Sequence, residues 1–471
     1  MDKSEIPFLS ASELARLIES REVSPVEATE AYLDRIDRVD GQLNSYIAVL
    51  KDHARASARQ AEAEIAAGNY RGPLHGLPVA VKDQFYTAGM VTTGGSSILR
   101  DFVPEEDSTV MAKLNEAGAV LLGKLNMSEF AMADIYNHPY GTPRNPWDTT
   151  RNPGTSSSGS GAATAAFLCA TSLGEDTGGS IRSPANFSGL VGLRPTYGRV
   201  SRFGVMGGSW SMDTVGPISR TVEDAAITFQ AIAGHDPKDP YTLDMPVPDY
   251  RAALTGDISG LRVGVISERM DAPNLDPEMR SAVTSAIGTL GELGADAREV
   301  SIPLAPSAGA LSMTLIGVEW SHLHRQTFEP NFEQLDRNNQ IRFLTGLVIP
   351  AQAYNKAQKL RTMLREQVLA ALEEVDVLCL PSGVGPAPPV ESVPGVPSKE
   401  MALAGLNARI SFTGPFNLAN VPAISVPCGF TESGLPLGLQ IVGKPFAEET
   451  LFRVAHAYEQ TTDWHTRRPP I

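Results

Sequence analysis

Cysteine is scarce in this chain: three in 471 residues, Cys169, Cys379 and Cys428, far apart and without a CxxC pair. That excludes a disulfide framework and a thiolate zinc site, and it fits a reducing cytoplasm. Positive charge is also short. There are 39 Lys and Arg against 54 Asp and Glu, a formal charge of −15, and no basic patch interrupts the deficit. Such a balance repels a phosphate backbone, so no nucleic acid is expected among the partners. Long apolar runs are missing as well. Stretches such as AATAAFLCA are too short to span a bilayer, and MDKSEIPFLS lacks the basic start and apolar core of a signal peptide. A soluble, cytoplasmic protein without membrane association is expected.

Several catalytic signatures are missing. GAVLLGKL, residues 118–125, approaches a phosphate loop, but Lys124 is followed by leucine where Ser or Thr would hold the metal, and the run is apolar. His322 and His324 form HxH without HExxH or a third ligand, so neither metal nor cofactor is expected. The GxSxG elbow of serine hydrolases does not occur, nor does SxxK.

What is present reads as alternating strands and helices. Ser10 with Glu13 and Ser24 with Glu27 are capping boxes, the second with Pro25 at the first helical position. PVAVKD (78–83) and AVLLGKLN (119–126) are short apolar runs typical of buried strands, and LRVGVI (261–266), AREVSIP (297–303) and VDVLCLP (375–381) read as further strands. AFLCATSLG (166–174) carries a helix into another strand, helices are expected near 277–293 and 353–374, and AISVPCG and GLQIVG read as a strand pair. This is an α/β pattern: a large mixed, mostly parallel β-sheet covered by helices on both faces. One domain over 1–471 is expected, with a helical segment at 1–70 and the chemistry concentrated in 75–215. The best candidate boundary, 234–260, could equally be a surface excursion.

The tripeptide GGS occurs three times, ending at Ser96, Ser180 and Ser209, and alone proves nothing. LGEDTGGSIRSPA, 173–185, differs in context. A strand ends near Glu175, and the glycines after Thr177 let backbone N–H groups turn inward ahead of Ser180, as an oxyanion pocket requires. An ordinary strand-to-helix turn would read the same way. A serine nucleophile needs a base, and no histidine spacing singles one out. Lys82, closing PVAVKD, could serve if burial lowered its pKa toward neutrality, or it could simply pair with Asp83 at a strand end. NPGTSSSGSGAA, 152–163, has the composition of a flexible spacer.

Taken together, GLPVAVKD, NPGTSSSGSGAA and GEDTGGSIRSPANFSGLVGLRPT resemble the amidase signature family, with Lys82 and Ser156 lying 98 and 24 residues before Ser180. GKLNMSEFAM, FTGPFNLANVPAISVPCG and PLGLQIVGKPF extend the resemblance to nearly the full length. It implies the amidase signature fold and a Ser-cisSer-Lys triad: Ser180 as acyl-forming nucleophile, Ser156 as proton shuttle after a cis peptide at 155–156, and a neutral Lys82 as general base. The amides of Thr177, Gly178, Gly179 and Ser180 would form the oxyanion hole, and Ser157, Asp176 and Arg182 would brace the site. Thr155 and Ser158 depart from the family's glycines in the loop GGSSGG. On this reading the serine-rich run is an active-site wall, because a hydroxyl that donates and accepts can relay a proton to the poorly leaving amine of an amide.

Two activities compete. One is a stand-alone amidase that hydrolyses the C–N bond of non-peptide, small-molecule carboxamides through a serine acyl-enzyme, with esterase side activity. The other is the glutaminase component of glutamyl-tRNA amidotransferase, its A subunit, which releases ammonia from glutamine for another subunit. The acidic charge argues against the second, as does Ile410, which stands where that relative typically carries an aspartate able to pair the glutamine ammonium. The first is therefore expected, with a catalytically silent binding protein as a third class. The resemblance also makes a homodimer an expectation and draws the pocket from 125–140 and 305–365, including Tyr136, Met313 and Trp320, although each of these suits a plain core role.

Overall fold

The computed structural model describes residues 2–132, 138–390 and 412–471. Its centre is one sheet of eleven strands: β1 (Tyr46–Val49), β2 (Pro78–Lys82), β3 (Val120–Leu125), β4 (Thr171–Glu175), β5 (Val191–Arg194), β6 (Val215–Ser219), β7 (Arg262–Ile266), β8 (Asp296–Val300), β9 (Val377–Pro381), β10 (Ala423–Phe430) and β11 (Pro436–Gly443). Their spatial order is β1-β3-β2-β4-β6-β5-β10-β11-β9-β7-β8. Parallel pairing is confined to two trios, β3-β2-β4 and β9-β7-β8. Between and beside them the pairing is antiparallel, so the sheet is mixed, as expected, but six of the ten described pairings are antiparallel where most were expected to be parallel. The strand pair read from AISVPCG and GLQIVG accounts for part of this: β10 and β11 are joined by a tight turn, and a short turn can only connect antiparallel neighbours.

Every residue of β2, β3, β4 and β9 is buried, as strands under two helical layers should be, even though β4 (TSLGE) is largely polar. The edge strand β8 is exposed at Asp296 through Glu299, and its charges guard an open edge against further pairing. Both capping boxes form. Ser10 caps helix Ala11–Glu19 and Ser24 caps helix Pro25–Leu43, with each Glu side chain returning to the cap amide. One hydrophobic cluster runs from Ile6 to Tyr458 along the chain. No helix among the described residues is long and apolar enough to cross a membrane.

The register decides where chemistry can gather. β2 and β4 run parallel and end together at Lys82 and Glu175. β6 is antiparallel to β4, with Val215 opposite Glu175, and Arg194 closes β5 opposite Ala423 at the start of β10. Three strands, β2, β4 and β5, thus deliver the polar side chains of Lys82, Glu175 and Arg194 to one end of the sheet.

Candidate functional site

Lys82 is completely buried at the end of β2, and its Nζ lies 2.7 Å from Ser156 Oγ. The alternative partner, Asp83, is not used by Lys82: it accepts from the Thr93 amide (2.8 Å) and stands 3.4 Å from Lys124 Nζ. Successive residues of a strand point to opposite faces, which sends these neighbours apart. Lys124, the lysine of the apparent phosphate loop, is locked by Phe85 O, Thr87 Oγ1 and Thr92 Oγ1 at 2.6, 3.1 and 3.0 Å. Burial pulls the Lys82 amine below its ordinary value, opposed chiefly by the Glu175 carboxylate 3.5 Å away.

The serine-rich run is not a spacer. It crosses the site in an irregular loop and enters helix Ser158–Ala165, buried along its whole length. The Thr155–Ser156 peptide is cis. Gly154, at φ +96°, packs so closely on Pro184 that a Cβ would sit 2.4 Å from its Cα, so the loop can only take this path with glycine there. The Ser128 amide donates to Ser156 O (3.2 Å), and the Ser157 hydroxyl bridges the backbone of Glu175, 3.4 Å from both its N and its O. Thr155 and Ser158 are accommodated, with Ser158 as the first residue of the helix.

Beyond β4 the chain turns through Thr177, Gly178, Gly179 and Ser180 into helix Arg182–Ser188. Asp176 organises this turn. It accepts from the amides of Gly179 (2.8 Å) and Ile181 (3.1 Å), from Arg182 Nε and Nη2 (3.1 and 3.0 Å) and from Asn417 Nδ2 (2.7 Å), and Arg194 lies 3.5 Å away. Burial alone would raise the Asp176 carboxyl, but the two guanidiniums outweigh it and hold it well below the usual carboxylate range. Arg182 also donates to Gln440 Oε1 and Thr413 O. Because the Gly179 amide is committed to Asp176, the amides left without a protein acceptor among the described residues are those of Thr177, Gly178 and Ser180. Gly179 sits at φ +124°, where a Cβ would meet Thr413 Oγ1 at 2.4 Å. Ser180 is half-buried, and its hydroxyl makes no hydrogen bond to a described residue, so it is open to an incoming group. An amine, a hydroxyl bonded to it and a free serine beside unengaged amides can together carry acyl transfer.

Several residues at the site were not singled out from sequence: Glu175, Gln84, Asp213, Arg194, Thr413, Asn417 and Gln440. Glu175 and Arg194 lie inside GEDTGGSIRSPANFSGLVGLRPT, and Thr413, Asn417 and Gln440 inside the flanking segments, but nothing local marks a role for them. Gln84 and Asp213 lie in none of these motifs, and the fold alone brings all seven together. The aromatic and histidine candidates fall elsewhere. Trp320 is core, buried against His324 and Phe328 with its Nε1–H donated to Phe130 O (3.1 Å). Met313 is half-buried on the same helix, His324 Nε2 bonds to Gly207 O (2.8 Å), and His322 faces outward. Tyr136 and Ile410 lie outside the described residues.

Comparison with known proteins adds what geometry cannot. A family model for Amidase matches residues 27–452. The chain is 43% identical to the A subunit of glutamyl-tRNA(Gln) amidotransferase from Geobacter metallireducens, covering 98% of this chain and 99% of that one. It is 41% identical to the subunit of the same name from Moorella thermoacetica, with 99% of each covered. Among solved structures, that of the same subunit from Thermotoga maritima superposes with a TM-score of 0.82 at 31% identity, over 98% and 97% of the two chains. The peptide amidase of Stenotrophomonas maltophilia gives 0.86 at 31%, over 98% of each.

These end-to-end matches correct two expectations. The stand-alone amidase of small carboxamides gives way to the competing reading, since relatives above 40% identity over the whole length are amidotransferase subunits. The expectation of a small-molecule substrate with no nucleic acid falls with it, because those relatives are named for a tRNA. The physical reason is that net charge sums the whole surface, and an acidic chain can serve an assembly in which another surface meets the phosphates. A single position such as Ile410 likewise weighs little against similarity spread along the entire chain. With the family model spanning most of its length, the fold shared and the relatives aligned end to end, the chain belongs to the amidase family and is a hydrolase of amides.

Proposed function

We propose that this chain is the glutamine-hydrolysing component of a glutamyl-tRNA(Gln) amidotransferase. The observation that carries the reading is its 41–43% identity, over nearly all of both chains, to subunits bearing that enzyme's name. The site supports the chemistry. Neutral Lys82 takes the proton of Ser156 as Ser156 takes that of Ser180, whose oxygen attacks the glutamine side-chain amide. The unengaged amides of Thr177, Gly178 and Ser180 receive the oxyanion, which needs donors fixed before charge develops. Ser156 then returns a proton to the nitrogen, ammonia leaves, and water releases glutamate from the Ser180 ester. Asp176, Arg182 and Ser157 hold the turn and the loop in place.

The test is transamidation by the whole assembly purified from its native host, given Glu-tRNA(Gln) and ATP. Glutamine should support formation of Gln-tRNA(Gln) with release of glutamate. In the Ser180→Ala assembly, glutamine should fail while ammonium chloride restores product, because only ammonia generation is lost. Failure of the wild-type assembly to form Gln-tRNA(Gln) from either nitrogen source would overturn the reading.

A further inference from the structure

Behind Lys82 lies a cluster of side chains the mechanism has not used. Glu175, Thr177 and Asp213 are all buried, and Thr177 Oγ1 stands 2.8 Å from Glu175 Oε1 and 2.7 Å from Asp213 Oδ1. A threonine hydroxyl carries one hydrogen. If it is donated to one carboxylate, the lone pairs of the hydroxyl face the other at hydrogen-bond distance, a repulsive arrangement unless that second oxygen brings a hydrogen of its own. Two short contacts among three oxygens therefore call for two hydrogens, one from Thr177 and one from a carboxyl.

We propose that Glu175 and Asp213 share one proton through the Thr177 hydroxyl, and that this pair is a positioning device that leaves a single negative charge facing Lys82, so that its amine can stand neutral. The inference rests on the reading of Lys82 as base. The proton sits on Asp213 Oδ1. Glu175 Oε2 faces Lys82 Nζ (3.5 Å) and Gln84 Nε2 (3.4 Å), whereas Asp213 makes no ion pair among the described residues. Asp213 instead takes the amides of Gly208 and Ser209 on Oδ2, both at 2.9 Å, as the carbonyl oxygen of an acid can. The Ser209 amide is shared with Oδ1 (2.8 Å), whose lone pair still accepts when the oxygen carries a hydrogen. Burial first, and the neighbouring Glu175 charge second, push Asp213 well above the usual carboxylate range. The wider cluster then balances. Arg182 and Arg194 offset Asp176 and Glu175, with Lys82 and Asp213 uncharged and Arg202 the next cation beyond Asp213. Were Asp213 ionised as well, two carboxylates would hold Lys82 as the ammonium, which cannot accept the Ser156 proton.

The test uses the purified full chain and a fluorophosphonate, which reports acylation-type attack by Ser180 whatever the natural substrate is. The labelling rate is followed against pH and the adduct mapped by mass spectrometry. Labelling rises as Lys82 loses its proton. Glu175→Gln removes the one charge facing Lys82 and should lower the midpoint of that rise by about one pH unit or more. Asp213→Asn substitutes a neutral donor for a neutral acid and, whatever its effect on rate, should leave the midpoint in place. In infrared difference spectra at neutral pH with ¹³C-labelled aspartate, wild type minus Asp213→Asn should show a carboxylic-acid C=O band. Absence of that band, or a midpoint lowered as far by Asp213→Asn as by Glu175→Gln, overturns the proposal. If Asp213→Asn does not fold, an unmoved midpoint in Glu175→Gln overturns it. Wild type that labels nowhere on Ser180 refutes the triad instead, and the infrared band still decides the shared proton.

Discussion

Replacing Asp176 by asparagine keeps the shape of the side chain and removes its charge, and the consequences can be worked from the contacts. One carboxylate oxygen receives Gly179 N, Arg182 Nη2 and Asn417 Nδ2, and the other receives Ile181 N and Arg182 Nε. An amide NH₂ placed at either oxygen position faces donors, and two buried guanidiniums lose their anion. Removing one partner of a buried ion pair costs about 3–5 kcal/mol. Gln440 and Thr413 still accept from Arg182, which favours the lower end of that range. Urea unfolding at neutral pH, wild type against Asp176→Asn, measures the loss directly. Acid adds a second reading with a definite sign. A carboxyl held below its unfolded value of about 3.9 contributes stability that is fully present above that pH and is lost as pH falls toward the folded value. Below about pH 4 the wild type should therefore lose up to about 1.4 kcal/mol per pH unit more than the variant. A destabilisation under about 1 kcal/mol, with parallel acid limbs, would refute the account of Asp176 as the anchor of two arginines.

Other outcomes follow from the same contacts. Ser180→Ala should abolish glutamate release from glutamine, measured by coupled glutamate assay, and near-normal turnover would reject Ser180 as nucleophile. Lys82→Met should remove the rise of Ser180 labelling with pH, since the group whose depressed pKa sets it is gone; an unchanged profile would place the base elsewhere. Ser156→Ala should slow hydrolysis of an amide at least as much as that of the ester of the same acyl group, because the poorer leaving group depends more on the returned proton. Gly179→Ala, forced into φ +124° against Thr413, should lower labelling on the order of a hundredfold by displacing the neighbouring amides, together with a lowered urea midpoint. Trp320→Ala should cost about 3–5 kcal/mol of stability, read by the same urea titration, as a large core side chain whose indole N–H is also paired.

Much of the site was legible because it is local. Ser156 and Ser157 share one loop, Asp176 through Arg182 one turn, and strand, glycine and helix signals mark where each begins. Lys82 could be nominated from its place at the end of an apolar strand, but whether it pairs with Asp83 or reaches across to Ser156 depends on which face of β2 meets the loop. Eight of the eleven strands could be read, with β1, β5 and β6 unmarked, and so could the helix starts at Ser10 and Ser24. The pairing directions could not, since an apolar pentapeptide carries no mark of the neighbour it will choose. The function erred for a related reason: net charge and Ile410 are properties of a sum and of a point, and neither reports what the molecule assembles with.

The sequence by itself determined which residues are chemically able to act and the local turns that present them, because those depend on interactions across a few positions. Only the tertiary structure decided which of them meet. Asp213 lies 36 residues from Thr177 and 131 from Lys82, and Asn417 lies 241 from Asp176. These groups come together because the order and direction of strands in the sheet stack their ends at one place, and that order is set by packing of the whole chain.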